Sequence, residues 1–126
     1  EEFRNRELSQ LSGGQRQRVF IAMALAQNTK ILFLDEPTTY LDIRYQLDIL
    51  RLVRKLNKEY GITIVMVLHE INQAVHFSDE VIGLKDGKVL VQGDPNEVIT
   101  TESISELYDV RLNVAEINGQ KFVLTV

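Results

Sequence analysis

Two nearly uninterrupted apolar runs constrain the fold of this chain more than any other feature. Residues 31–35 read ILFLD and are followed by a second acid, Glu36, and residues 62–68 read ITIVMVL and are followed by His69. Runs of this length and composition are typical of buried strands in a parallel sheet. Between them, apolar residues recur at helical spacing along residues 43–56, and Gly61 suits a helix C-terminus. Strand, helix, strand predicts an α/β fold with a parallel sheet.

The rest of the sequence predicts flanking helices and antiparallel hairpins. Residues 12–27 show a capping pattern followed by helical periodicity. Asp86-Gly87 and Asn118-Gly119 are strong hairpin-turn signals, and Asp94-Pro95 is typical of a helix start. We therefore expect a mostly parallel sheet with helices around it and antiparallel hairpins toward the C-terminus. With 126 residues, the chain has room for one modest domain.

Composition narrows the function classes. The chain is 44% hydrophobic and 25% charged, which is typical of a globular protein. A net charge of -4 argues against nucleic acid as the main partner. The absence of cysteine excludes disulfides and thiolate metal sites. Because the longest apolar run is too short to span a bilayer, we expect any membrane connection to come through a partner.

Two acids follow the first apolar run. Asp35 and Glu36 are expected at the carboxyl end of a buried strand, which is where α/β proteins bind ligands. Strand alternation would direct the two side chains to different sides. One could then hold Mg²⁺ on nucleotide phosphates while the other orients or deprotonates a water. A strand that simply ends in solvated acids before Pro37 is the alternative, and for such a pair alone it is the commoner outcome.

A histidine and a glycine pair are the other candidates for phosphate contacts. His69 follows the second strand and could contact a phosphate or the attacking water, although a strand-end histidine is more often bonded to backbone. Gly13-Gly14 opens a predicted helix, whose unpaired N–H groups favour anions. Ser12 and Gln15 could add side-chain hydrogen bonds there. A plain helix N-cap is the alternative for this segment.

The order of these motifs resembles the ATP-binding subunit of ABC transporters. Leu11–Gln15, LSGGQ, resembles the signature motif, and Ile31–Glu36 resembles the Walker B strand. Thr39–Asp42 matches the D-loop, and His69 matches the switch histidine. Four motifs in this order and at family-like spacing very rarely occur together by chance in a sequence of this length. The resemblance implies a P-loop NTPase fold of the ABC type.

The resemblance also implies a role for each matched residue. Asp35 would bind Mg²⁺, Glu36 would be the general base for hydrolysis, and His69 would contact the γ-phosphate. Asp42 would communicate across a dimer. The residues that would contact ATP held by the opposite subunit are Ser12, Gly13, Gly14 and Gln15. The implied reaction is phosphoryl transfer to water, in which positioning and charge stabilisation supply most of the rate.

Two longer stretches resemble one branch of the family, and several family motifs are missing. Residues 22–43 and 65–98 are similar to subunits that power uptake of iron–siderophore, haem or cobalamin complexes. The Walker A loop, the glutamine loop and the adenine-stacking aromatic do not occur in this sequence. We therefore interpret residues 1–126 as the C-terminal part of one nucleotide-binding domain and expect no ATPase activity from them alone. Tyr40 and Glu70 replace residues that are usually a smaller side chain and an aspartate.

The implied partners are a second ATPase subunit in a head-to-tail dimer and transmembrane permease subunits. Such a protein would be cytoplasmic and peripheral on the inner face of the membrane, and the cargo would be recognised by other subunits. Two alternatives stay open: a soluble ABC-type ATPase acting on nucleic acid in repair or translation, and an inert folded fragment. Strand edges left uncovered in a fragment also predict self-association.

Overall fold

The computed structural model describes Val19, residues 22–24 and residues 26–125, which fall into two compact units. The first unit ends at Val67 and the second begins at Leu68. The elements in chain order are β1 (Ile31–Asp35), α1 (Ile43–Tyr60), β2 (Thr63–Val67), α2 (Ile71–Phe77), β3 (Val81–Lys85), β4 (Lys88–Gly93), α3 (Pro95–Val98), α4 (Thr101–Tyr108), β5 (Val114–Ile117) and β6 (Gln120–Val123). Residues 22–24 and 26 are helical, and the start of the predicted helix over 12–27 lies outside the described residues.

The first unit contains the predicted strand–helix–strand arrangement. β1 and β2 pair in parallel, with Ile31 opposite Thr63 and Asp35 opposite Val67. The helix between them ends at Gly61, whose φ of 67° is left-handed and whose N–H donates to the carbonyl of Asn57 at 3.1 Å. Glycine adopts this conformation without the steric cost that a side chain would add. The predicted parallel pairing is confirmed.

A single apolar stripe attaches α1 to the sheet. Its buried side chains are Leu50, Leu52, Val53 and Leu56. Leu52 and Leu56 form a core with Ala24 and Ile62, and Leu32 and Ile64 of the strands pack against it. Each fully buried aliphatic side chain of this kind contributes about 1.5–3 kcal/mol to folding. This core covers one face of β1 and β2 near the start of both strands.

The opposite face of β1 and β2 is exposed, which differs from the sequence prediction. Ile31 is 55% exposed, Phe33 74%, and Val65 44%. Burial alternates along both strands, so only every second residue packs on the core. The expectation of strands buried on both faces is therefore wrong for the described unit. Apolar residues on both faces of a strand predict two covering layers, and here α1 and its neighbours supply only one.

Two hairpins form the sheets of the second unit. β3 and β4 pair antiparallel with a bulge between Gly83 and Leu84, and β5 pairs antiparallel with β6. The turn residues Asp86-Gly87 have φ values of 51° and 75°, and Asn118-Gly119 have 52° and 78°. Two consecutive positive φ angles match the right-handed twist of the flanking strands. Both hairpins predicted from these dipeptides are confirmed.

Short helices complete the second unit. Asp94 caps α3 by accepting a hydrogen bond from the N–H of Asn96 at 2.8 Å, with Pro95 at the first helical position, as predicted. Thr100 and Ser103 form a reciprocal capping box at the start of α4. The buried core of this unit consists of Val75, Ile99, Ile104 and Val123. Across residues 26–125 and the few described before them, no helix has the length and apolar character that crossing a membrane requires.

Candidate functional site

The carboxyl end of β1 positions Asp35. This residue is the last of the strand and pairs in register with Val67, the last residue of β2. Residues at every second position share a face of a strand, so Asp35 lies on the exposed face with Ile31 and Phe33. Its side chain is therefore open to solvent and accessible to a ligand. The prediction that a strand delivers Asp35 to the sheet edge is confirmed.

Glu36 is positioned by a turn and not by strand alternation. Its φ of 53° is left-handed, a conformation that costs a residue with a side chain about 1–3 kcal/mol. The N–H of Glu36 donates to the carbonyl of Val67 at 2.9 Å, and its own carbonyl accepts from Thr39 N–H at 3.2 Å. These two hydrogen bonds hold the backbone in that conformation. The alternation expected to separate the side chains of Asp35 and Glu36 therefore stops at Asp35.

The turn continues through Thr38 and Tyr40. Thr38 is buried, and its carbonyl accepts from the N–H of Leu41 at 3.4 Å. Tyr40 has a φ of 65°, and its side chain is fully exposed at 103%. A fully exposed aromatic side chain presents a large contact surface. Tyr40, where a smaller side chain is usual, is therefore accessible to another molecule.

Asp42 occupies the N-cap position of α1 without using its carboxylate as a cap. Its φ and ψ of -64° and 156° are those of an N-cap, but its side chain makes no capping hydrogen bond. The helix start is instead held by Gln46, whose N–H donates to the carbonyl of Asp42 at 2.9 Å and whose amide donates to that of Leu41 at 2.8 Å. An aspartate before a helical apolar pattern is typical of an N-cap, and Asp42 does occupy that position, but through its backbone carbonyl and not through its side chain. The exposed carboxylate of Asp42 is not committed to the helix end.

His69 is exposed and belongs to the second unit, where it directly precedes the cap of α2. Glu70 is that cap: its carboxylate accepts from the N–H of Asn72 at 3.0 Å and from that of Gln73 at 2.7 Å. A carboxylate at a helix N-terminus also complements the helix dipole. Through these hydrogen bonds, Glu70 connects the backbone next to His69 to the start of α2.

The described structure brings only part of the predicted constellation together. Asp35, Glu36 and Asp42 lie on one continuous segment of the first unit, and His69 lies in the second. The other four predicted residues, Ser12, Gly13, Gly14 and Gln15, lie outside the described residues. In the part of the chain that is described, no three His, Asp or Glu side chains are placed to hold a metal ion together. The assembly of a complete site therefore stays a prediction.

Two side chains of the second unit have shifted pKa values. A hydrogen bond from Lys85 Nζ to Asp109 Oδ1 at 2.6 Å raises the pKa of the Lys85 ammonium, which also donates to the carbonyl of Glu106. Burial raises the pKa of the Tyr108 phenol, and the negative charge of Glu70 raises it further. Tyr108 of α4 therefore lies in the field of the residue that follows His69.

A cavity of about 240 Å³ lies elsewhere in the second unit. His76, Asp79, Asp94 and Lys121 are among its lining residues, and none of the predicted site residues is. Its size is below the roughly 300–1,000 Å³ of typical small-molecule sites. The sheet-edge segment of the first unit, and not this cavity, therefore remains the candidate functional site.

Sequence reasoning located Asp35 and Glu36 but missed how Glu36 is held. No pattern indicates left-handed backbone at this position, because a residue before proline usually favours extended conformations. Nor does the sequence indicate a role for Asn72, whose side-chain amide bonds to the backbone of Val123. A contact between residues 51 positions apart leaves no periodic signal in one sequence.

Similarity to known proteins covers nearly the whole chain. Residues 1–39 match the family model for the ABC transporter. The chain is 47% identical over 122 residues to the petrobactin import ATP-binding protein FpuC of Bacillus anthracis, covering 97% of this chain and 45% of that protein. It is 52% identical over 109 residues to the iron(3+)-hydroxamate import ATP-binding protein FhuC of Bacillus subtilis, covering 86% and 40%. The chain therefore spans less than half the length of these relatives.

Solved structures share the fold. An inward-facing structure of a metal-chelate type ABC transporter superposes with a TM-score of 0.76 and 31% identity, over 94% of this chain and 48% of that one. A dimeric, post-hydrolysis structure of the ATP-binding cassette MJ0796, bound to ADP and Pi, superposes with a TM-score of 0.58 and 47% identity, over 75% and 40%. The α/β fold predicted from the sequence is therefore confirmed as that of ABC ATPase cassettes.

Proposed function

Because this chain belongs to the ABC transporter family of ATP-binding domains, we propose that residues 1–126 form the C-terminal part of one nucleotide-binding domain. The exposed apolar face of β1 and β2 supports this proposal. Phe33 is 74% exposed, although a phenylalanine in a parallel strand is normally covered. A larger domain, such as that of the relatives more than twice as long, would supply the covering layer.

The domain would hydrolyse ATP to drive import of an iron–siderophore or a related metal chelate. Support comes from the relatives, which are named for petrobactin and iron(3+)-hydroxamate import. Its partners would be a second ATPase subunit in a head-to-tail dimer and transmembrane permease subunits, so that it would work on the cytoplasmic face of the membrane. The dimeric state of the similar cassette MJ0796 supports the first of these partners.

Asp35 would hold Mg²⁺. Its carboxylate is exposed at the carboxyl end of a parallel strand, and Mg²⁺ prefers a few carboxylate oxygens together with water and substrate phosphates. The donor chemistry and position of Asp35 therefore fit the ion. When bound, Mg²⁺ would neutralise charge on the phosphates. The part played by the protein is to keep the carboxylate at the sheet edge through the register of β1 with β2.

Glu36 would be the general base that takes a proton from the attacking water. The observation that carries this assignment is the fixed turn: hydrogen bonds to Val67 and from Thr39 hold Glu36 in left-handed backbone. Residues held in sparsely populated backbone conformations cluster at active sites. A base whose backbone is fixed before substrate binds needs less ordering during the reaction.

The remaining residues would complete the site around the γ-phosphate. His69 would contact the γ-phosphate, and Ser12, Gly13, Gly14 and Gln15 would reach ATP held by the opposite subunit. The exposed carboxylate of Asp42 and the exposed ring of Tyr40 would face that subunit. Support for the last two comes from their exposure and from the lack of a capping bond at Asp42.

The test is ATP turnover by a complete ATP-binding subunit that carries Glu36→Gln. Glutamine keeps the size and most hydrogen bonds of glutamate but cannot accept the proton. General-base catalysis contributes about 100-fold to 10,000-fold. We therefore expect phosphate release to slow at least about 100-fold while ATP binding is retained, measured by equilibrium binding of ATP.

Glu59→Gln is the matched control, because Glu59 is an exposed glutamate on α1 of the same unit. It should leave turnover unchanged. Turnover by Glu36→Gln near the wild-type rate would contradict the assignment of Glu36 as the base. Loss of ATP binding together with turnover would also count against it, since the base acts on water and not on the nucleotide.

A further inference from the structure

The helix that follows His69 is attached to the last strand by a side chain that imitates backbone. Asn72 Nδ2 donates to the carbonyl of Val123 at 3.0 Å, and Val123 N–H donates to Asn72 Oδ1 at 2.8 Å. A primary amide offers one donor and one acceptor in the same arrangement as a peptide group. Asn72 therefore pairs with β6 as a residue of a neighbouring strand would.

A second attachment lies one helical turn further along α2. His76 Nε2 lies 3.2 Å from the carbonyl oxygen of Lys121, and its ring meets Phe122 edge-on with centroids 4.4 Å apart. Residues four apart lie on the same face of a helix, so Asn72 and His76 meet the same strand. Val75 and Val123 are buried in the core of this unit. The orientation of α2 is therefore set by β6.

The other end of α2 connects this attachment to His69. The backbone N–H of Asn72 donates to the carboxylate of Glu70, and Glu70 is the immediate neighbour of His69. Asn72 is thus bound on two sides, through its backbone to Glu70 and through its side chain to Val123. A displacement of Asn72 from β6 would shift the cap and the backbone of His69 with it.

We propose that Asn72 is a positioning residue for His69, and that the terminal hairpin β5–β6 supports the hydrolytic site through it. This inference rests on the proposed function, in which His69 contacts the γ-phosphate. Phosphoryl transfer depends on placement of the groups around the phosphate, and a shift of about 1 Å can cost roughly 100-fold in rate. A side chain that fixes the His69 segment would therefore affect turnover without touching ATP.

The experiment measures ATP turnover by a complete ATP-binding subunit with Asn72→Ala, His69→Ala and both substitutions. We expect Asn72→Ala to lower kcat about tenfold with little change in KM for ATP, as an indirect effect through His69. In the His69→Ala background, Asn72→Ala should cause no further decrease. Asn72→Asp keeps the acceptor for Val123 N–H but places a carboxylate oxygen against the carbonyl of Val123, so it should lower kcat at least as far as Asn72→Ala. If Asn72→Ala is too unstable to purify, His76→Ala, which removes the second attachment of α2 to β6, takes its place. It should lower kcat in the wild-type background and not in the His69→Ala background.

Thr100→Ala is the matched control for loss of stability. Thr100 Oγ1 accepts from the N–H of Ser103 at 3.0 Å, so its removal weakens the start of α4 in the same unit. It should lower the melting temperature and leave kcat unchanged.

Two outcomes overturn the inference by itself. One is wild-type kcat for Asn72→Ala while His69→Ala is impaired. The other is an equal decrease from Asn72→Ala with and without His69, which a merely structural role would produce. Wild-type turnover by His69→Ala would instead refute the proposed role of His69, and this inference with it.

Discussion

Gly83→Ala tests how closely the side chain of Val91 on β4 packs over Gly83 on β3. An alanine Cβ at this position would lie 2.7 Å from Cγ2 of Val91 and 3.3 Å from Cδ2 of Leu107. Gly83 is not among the residues with positive φ, so alanine would not strain the backbone. Any destabilisation must therefore come from the steric contact.

The size of the effect follows from which atom must move. Val91 lies directly opposite Gly83 in the strand pairing, and a β-branched side chain has few alternative rotamers. Overpacking of this kind costs about 1–3 kcal/mol, and we expect about 2 kcal/mol for Gly83→Ala. Val91→Ala removes the clashing methyl group. In that background the cost of Gly83→Ala should fall below about 0.5 kcal/mol, because the contact with Leu107 needs only a small adjustment.

Hydrogen exchange read by mass spectrometry on peptides from residues 81–93 gives the opening free energy of this hairpin. Wild type, both single variants and the double variant complete the cycle. Gly87→Ala is a control, because its φ of 75° strains alanine while no atom lies within 4 Å of the added Cβ. It should cost about 1 kcal/mol with or without Val91. Equal costs of Gly83→Ala in both backgrounds would refute the steric explanation.

Two further predictions concern the core and the pH dependence of stability. Leu56→Ala should destabilise the first unit by about 2–5 kcal/mol in urea unfolding, because Leu56 is fully buried at 0% exposure, whereas the exposed Lys55→Ala should change little. The pKa of Tyr108 is raised in the folded state, so burial of its neutral phenol favours folding. This contribution to the free energy of unfolding is complete below about pH 10 and is lost as pH rises through and above that value. Tyr108→Phe should reduce the alkaline loss of stability but not abolish it, since the pKa of Lys85 is raised too; an unchanged pH profile would contradict this.

Short-range signals in the sequence predicted the elements well. ILFLD formed a strand over those five residues, and Gly61 ended α1 in left-handed backbone. Asp86-Gly87 and Asn118-Gly119 each produced a hairpin. These features depend on the backbone preferences of a few neighbouring residues, which one sequence displays directly.

Features that depend on distant or missing partners could not be predicted in this way. The apolar composition of β1 indicated two covered faces, but Phe33 is exposed because burial depends on what packs against the strand. Asp42 has the residue type of a helix cap and occupies the N-cap position, yet its carboxylate makes no capping hydrogen bond, and the side chain of Gln46 bonds to the carbonyl of Leu41 there. Local preferences allow a residue several conformations and hydrogen bonds, and the side chains packed around it in the folded protein determine which of them form.

The sequence by itself determined the order of strands, helix and hairpins, and the placement of Asp35 and Glu36 after a strand, because periodicity and turn chemistry are local properties. Only the tertiary structure decided the left-handed backbone of Glu36, which requires a hydrogen bond to Val67 on the neighbouring strand. It alone decided the pairing of Asn72 with Val123 across 51 residues. Both arise from hydrogen bonds between segments distant along the chain, which form only after the chain has folded.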